Sequence, residues 1–253
     1  VGLYTMGDIA RCSLGGVRDY YNEDLLYKIF GINAELLIDH AWGYEPVTMD
    51  LIKAYKPETN SIGSGQVLHC PSDFEQAKLI VREMTDMLVL QLVEKRLVTS
   101  QIVLTIGYDI DNLKSSSGRK KYQGEIKTDR YGRKIPKHAH GTINLDTPTS
   151  SLKEITTAVS SLYDRIIDKE LLIRRLTLSA TKVMPKEGQV YQQLDLFTDY
   201  EALKKEQEKE RRLQKSILDI KKKYGKNAVL RGLSYEESAT TRTRNGQIGG
   251  HKA

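Results

Sequence analysis

Four stretches with strand character alternate with two amphipathic helical patterns between Ser61 and Lys182, and this order restricts the fold more than any other feature of the chain. The strand runs are Ser64–Leu68, Gln101–Tyr108, His138–Leu145 and Ile173–Thr181. Between the first two, Phe74, Ala77, Val81, Met84, Leu88 and Leu92 keep the three-then-four spacing of one helical face, which predicts a helix over 73–97. Pro71 and a Ser72/Glu75 capping box mark its start. Between the last two, Leu152, Ile155, Val159, Leu162 and Ile166 repeat the pattern after Thr147-Pro148. The order predicts an α+β fold, a split βαβ-βαβ domain with a four-stranded antiparallel sheet and both helices on one face.

Successive side chains on a strand point to opposite sides of its sheet. Ile102, Leu104 and Ile106 form one set with Ala139, Ile143 and Leu145 and with Leu176, Leu178 and Ala180, and these are expected under the helices. The other set holds Gln101, Thr105, His138, His140, Thr142, Asn144, Arg175, Thr177 and Ser179. It offers hydroxyls, amides, imidazoles and a guanidinium almost without carboxylates, a composition that suits a phosphate backbone. A sheet with one plainly solvated face has a similar pattern, so parity alone leaves both readings open.

The formal charge of the 253-residue chain is +6, and the excess is unevenly spread. Lys114, Arg119, Lys120, Lys121, Lys127, Arg130, Arg133, Lys134 and Lys137 fall in one loop, opposed in its basic part only by Glu125 and Asp129. Such a cluster marks an anionic partner or a solvated loop. Two cysteines, Cys12 and Cys70, are too few for a disulfide framework or a zinc site and fit a reducing cytoplasm. Neither a signal peptide nor a membrane-spanning run is evident, and no membrane partner is expected. The start at Val1-Gly2-Leu3, without an initiator Met, reads as a piece of a longer protein.

Residues 1–50 read as a partial helical domain: a capped start at Thr5, a short helix from Glu23 to Ile29, and another from Ala34 to Ala41 that ends at Gly43. Trp42, the only tryptophan, is expected to cap that small core. Residues 51–60, with Lys53, Lys56 and Pro57, read as a linker and a basic tether that could lie along a duplex. The sheet domain covers 61–184, and 185–253 form a tail. In that tail Asp199 to Tyr224 is a charged helix whose docking face is expected from Leu213, Ile217, Ile220 and Tyr224. The rest reads equally as a disordered end or a second binding segment.

Ser61-Ile62-Gly63 entering a strand, and Ile173-Arg174-Arg175-Leu176-Thr177-Leu178-Ser179 forming the last one, resemble the opening and closing strands of the little finger domain of Y-family (UmuC/DinB-like, ImpB/MucB/SamB) translesion DNA polymerases. Gly2 to Ala10 resembles the later part of that family's thumb. Gln193-Leu194-Asp195-Leu196-Phe197 resembles the pentapeptide by which bacterial members dock on the sliding clamp, and 224–251 resembles the end of UmuC-like proteins of Gram-positive bacteria. The resemblance implies a sequence-independent grip on primer-template DNA by Ser61, Gly63, Ser64, Gly65, Arg174, Arg175, Thr177 and Ser179. Thr105, His140, Lys53 and Lys56 join them on chemical grounds. It further implies the bacterial sliding clamp (β subunit) as partner, through an amide socket for Gln193 and an apolar pocket for Leu196 and Phe197. The parent would be an error-prone polymerase of SOS damage tolerance in the cytoplasm, near the nucleoid.

Such a polymerase needs carboxylates that hold two metal ions, so Mg²⁺ is expected for the full-length protein. This chain lacks the palm that carries them and should be inactive alone, with no catalytic residue, metal site or cofactor of its own. Asp109 and Asp111 follow a strand but read as loop-capping residues. His138 and His140 lack a third ligand. Two rivals are a split-βαβ RNA-binding module, disfavoured by a polar face without aromatic residues, and an adaptor that docks on the clamp without polymerase function.

Overall fold

The computed structural model describes residues 1–55, 60–114, 122–129, 132–186, 200–248 and 251–252. The chain divides into two compact units, Val1–Glu58 and Thr59–Ala253.

The first unit comprises α1 (Met6–Ser13), α2 (Glu23–Phe30), α3 (Asn33–Ala41) and α4 (Met49–Ala54). Thr5 and Asp8 form a reciprocal capping box: Asp8 N–H donates to Thr5 Oγ1 at 3.2 Å, and Asp8 Oδ2 accepts from Thr5 N–H at 2.9 Å. Donation from Tyr4 N–H, then from the Thr5 hydroxyl and Thr5 N–H, holds the pKa of the Asp8 carboxyl at about 2. Cys12, Leu26 and Ala34 form a small core, flanked by Leu3, Ile9, Leu25 and Ile38. Trp42 does not cap it: the indole is 55% exposed and donates to Ser13 Oγ at 3.1 Å. The 51–60 stretch read as a linker begins with α4, which Thr48 caps through Leu51 N–H. At six residues α4 is too short for a helical period to show in the sequence.

The second unit is built on β1 (Ser61–Ser72), α5 (Phe74–Glu94), β2 (Leu97–Tyr108), β5 (Ala139–Thr149), α6 (Leu152–Ile166) and β6 (Ile173–Pro185). A small hairpin, β3 (Ile126–Thr128) with β4 (Lys134–Pro136), lies between β2 and β5. The four long strands form an antiparallel sheet in the order β1-β6-β2-β5. This is the anticipated split βαβ arrangement. Ile102, Leu104, Ile106, Leu176, Leu178 and Ala180 are all fully buried under α5 and α6, whose Val81, Met84, Leu88, Leu92, Ile155, Val159 and Leu162 meet them.

Local starts differ from the sequence reading by a few residues. Asp73, not Ser72, caps α5, and Gln76, not Glu75, completes the box. Thr147-Pro148 does not open α6; β5 runs on to Thr149 and Ser151 caps the helix. Proline is tolerated there because β5 is an edge strand. Gly141 on β5 makes room for α6, since a Cβ would stand 2.9 Å from Ile166 Cγ2 and from Leu162 Cδ1. Tyr163, absent from the anticipated stripe, is fully buried and donates from its hydroxyl to Phe74 O at 2.8 Å. Burial pushes its phenol well above the ordinary range.

The tail belongs to the same unit. It contains α7 (Tyr200–Tyr224), a 3-10 turn at Gly232–Tyr235, α8 (Thr241–Arg244) and the short pair β7 (Gln247–Ile248) and β8 (His251–Lys252). The docking face of α7 is not the apolar one expected. Leu213 is 58% exposed and Tyr224 67%, whereas Gln214 is buried. Glu210, one turn earlier, accepts from Leu152 N–H at 2.6 Å and Ser151 Oγ at 2.8 Å, so a carboxylate of α7 completes the N-terminus of α6. Further on, Arg231 Nε meets Asp86 Oδ1 at 2.5 Å. Buried Glu83 accepts from Thr240 N–H at 2.7 Å and Thr241 N–H at 3.2 Å. Arg244 donates to Gln66 Oε1 at 2.8 Å and lies 3.5 Å from Gly65 O, covering part of the β1 edge. No helix among the described residues is long and apolar enough to cross a membrane.

Glu83→Ala should strand two backbone donors and cost about 1–3 kcal/mol. Hydrogen exchange should show faster exchange at Thr240 and Thr241 together with a lowered melting temperature; unchanged protection there would contradict the docked tail.

Candidate nucleic-acid interface

With the inner face filled by α5 and α6, the opposite parity faces outward, and the strand registers align it in rows. One row runs Gly63, Ser179, Val103, Thr142 and the next Gly65, Thr177, Thr105, His140. A third runs Ser61, Thr181, Gln101, Asn144, and Val67, Arg175 and Gly107 make a fourth. No Asp or Glu occurs in these rows.

Several side chains are bonded to one another across the strands. Thr105 Oγ1 and His140 Nδ1 are 2.9 Å apart. Thr181 Oγ1 donates to Gln101 Oε1 at 2.8 Å, and Gln101 Nε2 donates to Asn144 Oδ1 at 2.8 Å. That ladder is polarised in one direction and presents the Asn144 amide N–H groups at the outer edge. Its members Gln101 and Asn144 were legible as polar-face residues, while Thr181 was missed because it ends the predicted strand. Cross-strand bonds of this kind hold donors in place before a ligand arrives, lowering the ordering cost of binding.

Gly63 is where the backbones of β1 and β6 leave least room. A Cβ there would lie 2.3 Å from Ser179 Oγ and 3.0 Å from Leu178 O. Its absence leaves Ser61, Gly63 and Gly65 as an exposed backbone strip beside the Ser179 and Thr177 hydroxyls.

The other anticipated residues are divided. Arg175 is exposed on the outer face and has no ion-pair partner among the described residues. Arg174 sits where the β2–β6 register shifts; it donates to His69 O at 2.8 Å, and its Nε lies 3.7 Å from Asp109 Oδ2. These contacts tie it to the end of the sheet, with its side chain 39% exposed. Ser64 pairs with Leu178 and shares the inner parity of Ile62, so its side chain does not join the outer rows. Lys53 lies in the last turn of α4 in the first unit, and Lys56 lies outside the described residues. So does the whole of Gln193–Phe197.

Asp109 and Asp111 do not fit a two-metal centre. Asp109 is buried and its Oδ1 accepts from Asp111 N–H at 2.8 Å, while Asp111 engages Lys114 at 2.6 Å. Among the described residues no group of three or more His, Cys, Asp or Glu could hold a metal ion.

A split βαβ sheet, covered by helices on one side and open on the other with a donor-rich face free of acids, defines the class of domain. The description "impB/mucB/samB family C-terminal domain" matches residues 59–196, and the chain belongs to that family, the C-terminal portion of a Y-family protein. It is also 27% identical over 257 residues to UvrX of Bacillus subtilis (strain 168), whose name assigns it to UV-damage repair. That alignment takes in 100% of this chain and 51% of the relative, so the chain spans about half of UvrX.

The close approach at Gly63 can be tested against its neighbour. Gly63→Ala should cost about 1–3 kcal/mol by overpacking, whereas Gly65→Ala, whose Cβ would be 3.6 Å from Thr177 Oγ1, should be much milder. Ser179→Ala in the Gly63→Ala background should recover part of the loss in thermal melts. Equal effects at the two glycines would rule out the contact.

Proposed function

We propose that this chain is the DNA-holding, clamp-tethering C-terminal portion of an error-prone translesion polymerase that acts in DNA repair and SOS damage tolerance. The observation that carries the reading is the open sheet face, where hydroxyls, amides, an imidazole and Arg175 lie in register without a carboxylate among them. Such a face offers hydrogen-bond donors and positive charge to phosphate oxygens and little that discriminates bases. Membership of the family and the UV-damage repair name of UvrX support the same reading.

In this reading, β1 and β6 bring the Ser61, Gly63 and Gly65 backbone and the Thr177 and Ser179 hydroxyls against successive phosphates of a primer-template duplex. Arg175 adds the charge, and Thr105 and His140 extend the contact toward β5. A grip on the backbone alone tolerates damaged bases, because the lesion changes the part of the DNA that is not read. Arg174 serves by fixing the end of the sheet. The residues that hold Mg²⁺ and perform nucleotide transfer would belong to other parts of the polymerase.

Gln193–Phe197 would dock on the sliding clamp, with Leu196 and Phe197 filling an apolar pocket. Its flanks, Lys186 at one side and Tyr200 at the other, both belong to the unit that carries the sheet. The motif would therefore be tied at both ends, and the clamp would be held within a short reach of the DNA face.

Titration of a labelled primer-template duplex at several salt concentrations, with purified sliding clamp tested in parallel, examines both halves. Arg175→Ala should weaken duplex binding and reduce the slope of log affinity against log salt by about 0.9, the value for one phosphate contact. Phe197→Ala should abolish clamp binding without moving the melting temperature. Clamp binding with no DNA binding would replace this reading by that of an adaptor, and preference for single-stranded RNA would overturn the assignment of the sheet.

A further inference from the structure

A second concentration of positive charge lies away from the open sheet face. The C-terminal end of α5, the turn into β2, the last residue described after β6 and the second half of α7 enclose a recess of about 640 Å³. Five of its lining residues are cations, Arg96, Lys186, Arg211, Lys215 and Lys222, and two are acids, Glu94 and Asp219. Lys222 pairs with Glu94 at 2.9 Å, which ties α7 to α5 and fixes one wall. Among the described residues, Arg96, Lys186, Arg211 and Lys215 form no ion pair.

The sequence alone hides this cluster, because its members come from three segments separated by up to 126 positions, from Arg96 to Lys222. On α7, Arg211, Lys215 and Lys222 recur at spacings of four and seven, which puts them on one face of the helix toward the recess. On the opposite wall, Arg96 adopts a left-handed backbone conformation, φ 56°, and its carbonyl accepts from Lys186 N–H at 3.0 Å. A non-glycine residue in that region costs stability unless something requires it. Here it ends α5 just past Lys95, the ordinary place for a left-handed residue at a helix C-terminus, and it sets Arg96 beside Lys186 on one rim. Desolvation, and after it the neighbouring Arg211 guanidinium, lower the Lys186 ammonium from its ordinary value.

We propose that this recess is a second phosphate-binding site, taking the backbone phosphates of a nucleic-acid strand that continues beyond the sheet. A free polyphosphate carries the same chemistry, and the test separates the two sources. The inference rests on the proposed DNA-binding function for its physiological ligand, but its residues are distinct from those of the sheet.

The test uses the full chain with three probes: a primer-template carrying a single-stranded template extension, a blunt duplex of the same paired length, and inorganic tripolyphosphate. Arg211→Ala with Lys215→Ala should weaken binding of the extended substrate about tenfold and lower its salt slope by about 1.4, the value for two contacts to a single strand. Lys215→Arg should retain most of the affinity. Arg96→Gly is a second probe, because it removes a guanidinium while easing the left-handed backbone and so should not unfold the domain. A loss confined to the extended substrate identifies a single strand as the ligand, and an equal loss on the blunt duplex identifies duplex backbone. A loss of tripolyphosphate binding alone assigns the site to a free polyphosphate. Unchanged binding of all three probes by both variants would overturn the site. Arg175→Ala measured alongside keeps the two claims apart: if it is silent while the recess variants are impaired, the sheet assignment fails and the recess stands, and the reverse result removes the recess alone.

Discussion

Leu104, Ile106, Leu176 and Leu178 are fully removed from water beneath α5 and α6, and a strand's period of two then dictates where every intervening side chain goes. A slip of one residue between β6 and its neighbours would carry Arg175 and Thr177 into the core and expose the leucines. Burying an unpaired guanidinium is prohibitive, so the register is held firmly. The open face, with its rows of hydroxyls and amides, is a by-product of that constraint. Its chemistry is available for binding because the opposite parity is committed to the hydrophobic core.

The tail adds a different kind of constraint, made of carboxylates rather than apolar area. Glu210 on α7 satisfies the first donors of α6, and Glu83 on α5 satisfies the backbone around the start of α8. Helix starts leave unsatisfied N–H groups, and a carboxylate brought from a distant segment is a strong partner for them. Through Arg244 and Gln66 the tail also reaches β1, the edge strand that carries Gly63 and Gly65. Tail, helix and open face are therefore one packed unit, and in the proposed function a clamp motif between Lys186 and Tyr200 would be carried by that unit.

These features support the proposed reading of the chain as part of a protein that holds damaged DNA. Positive charge and fixed donors bind phosphates wherever they occur, and an absence of base readout is an advantage where the bases are altered. If the proposed function holds, a tether to a clamp would raise the local concentration of the open face at DNA without requiring high intrinsic affinity. The acidic pair Asp109 and Asp111 is spent on capping a turn and pairing Lys114.

The sequence by itself determined the sheet, its two helices and the division of strand residues between core and open face. Each follows from local periodicity, and periodicity is a property of neighbours along the chain. It also carried the family resemblance, on Ser61-Ile62-Gly63 and the Ile173–Ser179 strand. Tertiary structure alone decided which of two adjacent arginines lacks a partner among the described residues: a register shift at the start of β6 ties Arg174 to His69 and Asp109 and leaves Arg175 outward. It alone made a docking face from the polar Glu210 and Gln214 while leaving Leu213 in solvent, and it gathered Arg96, Lys186 and Lys215 around one recess. Those outcomes depend on partners far apart in sequence, and single-residue patterning holds no information about which distant group will satisfy a donor or share a wall.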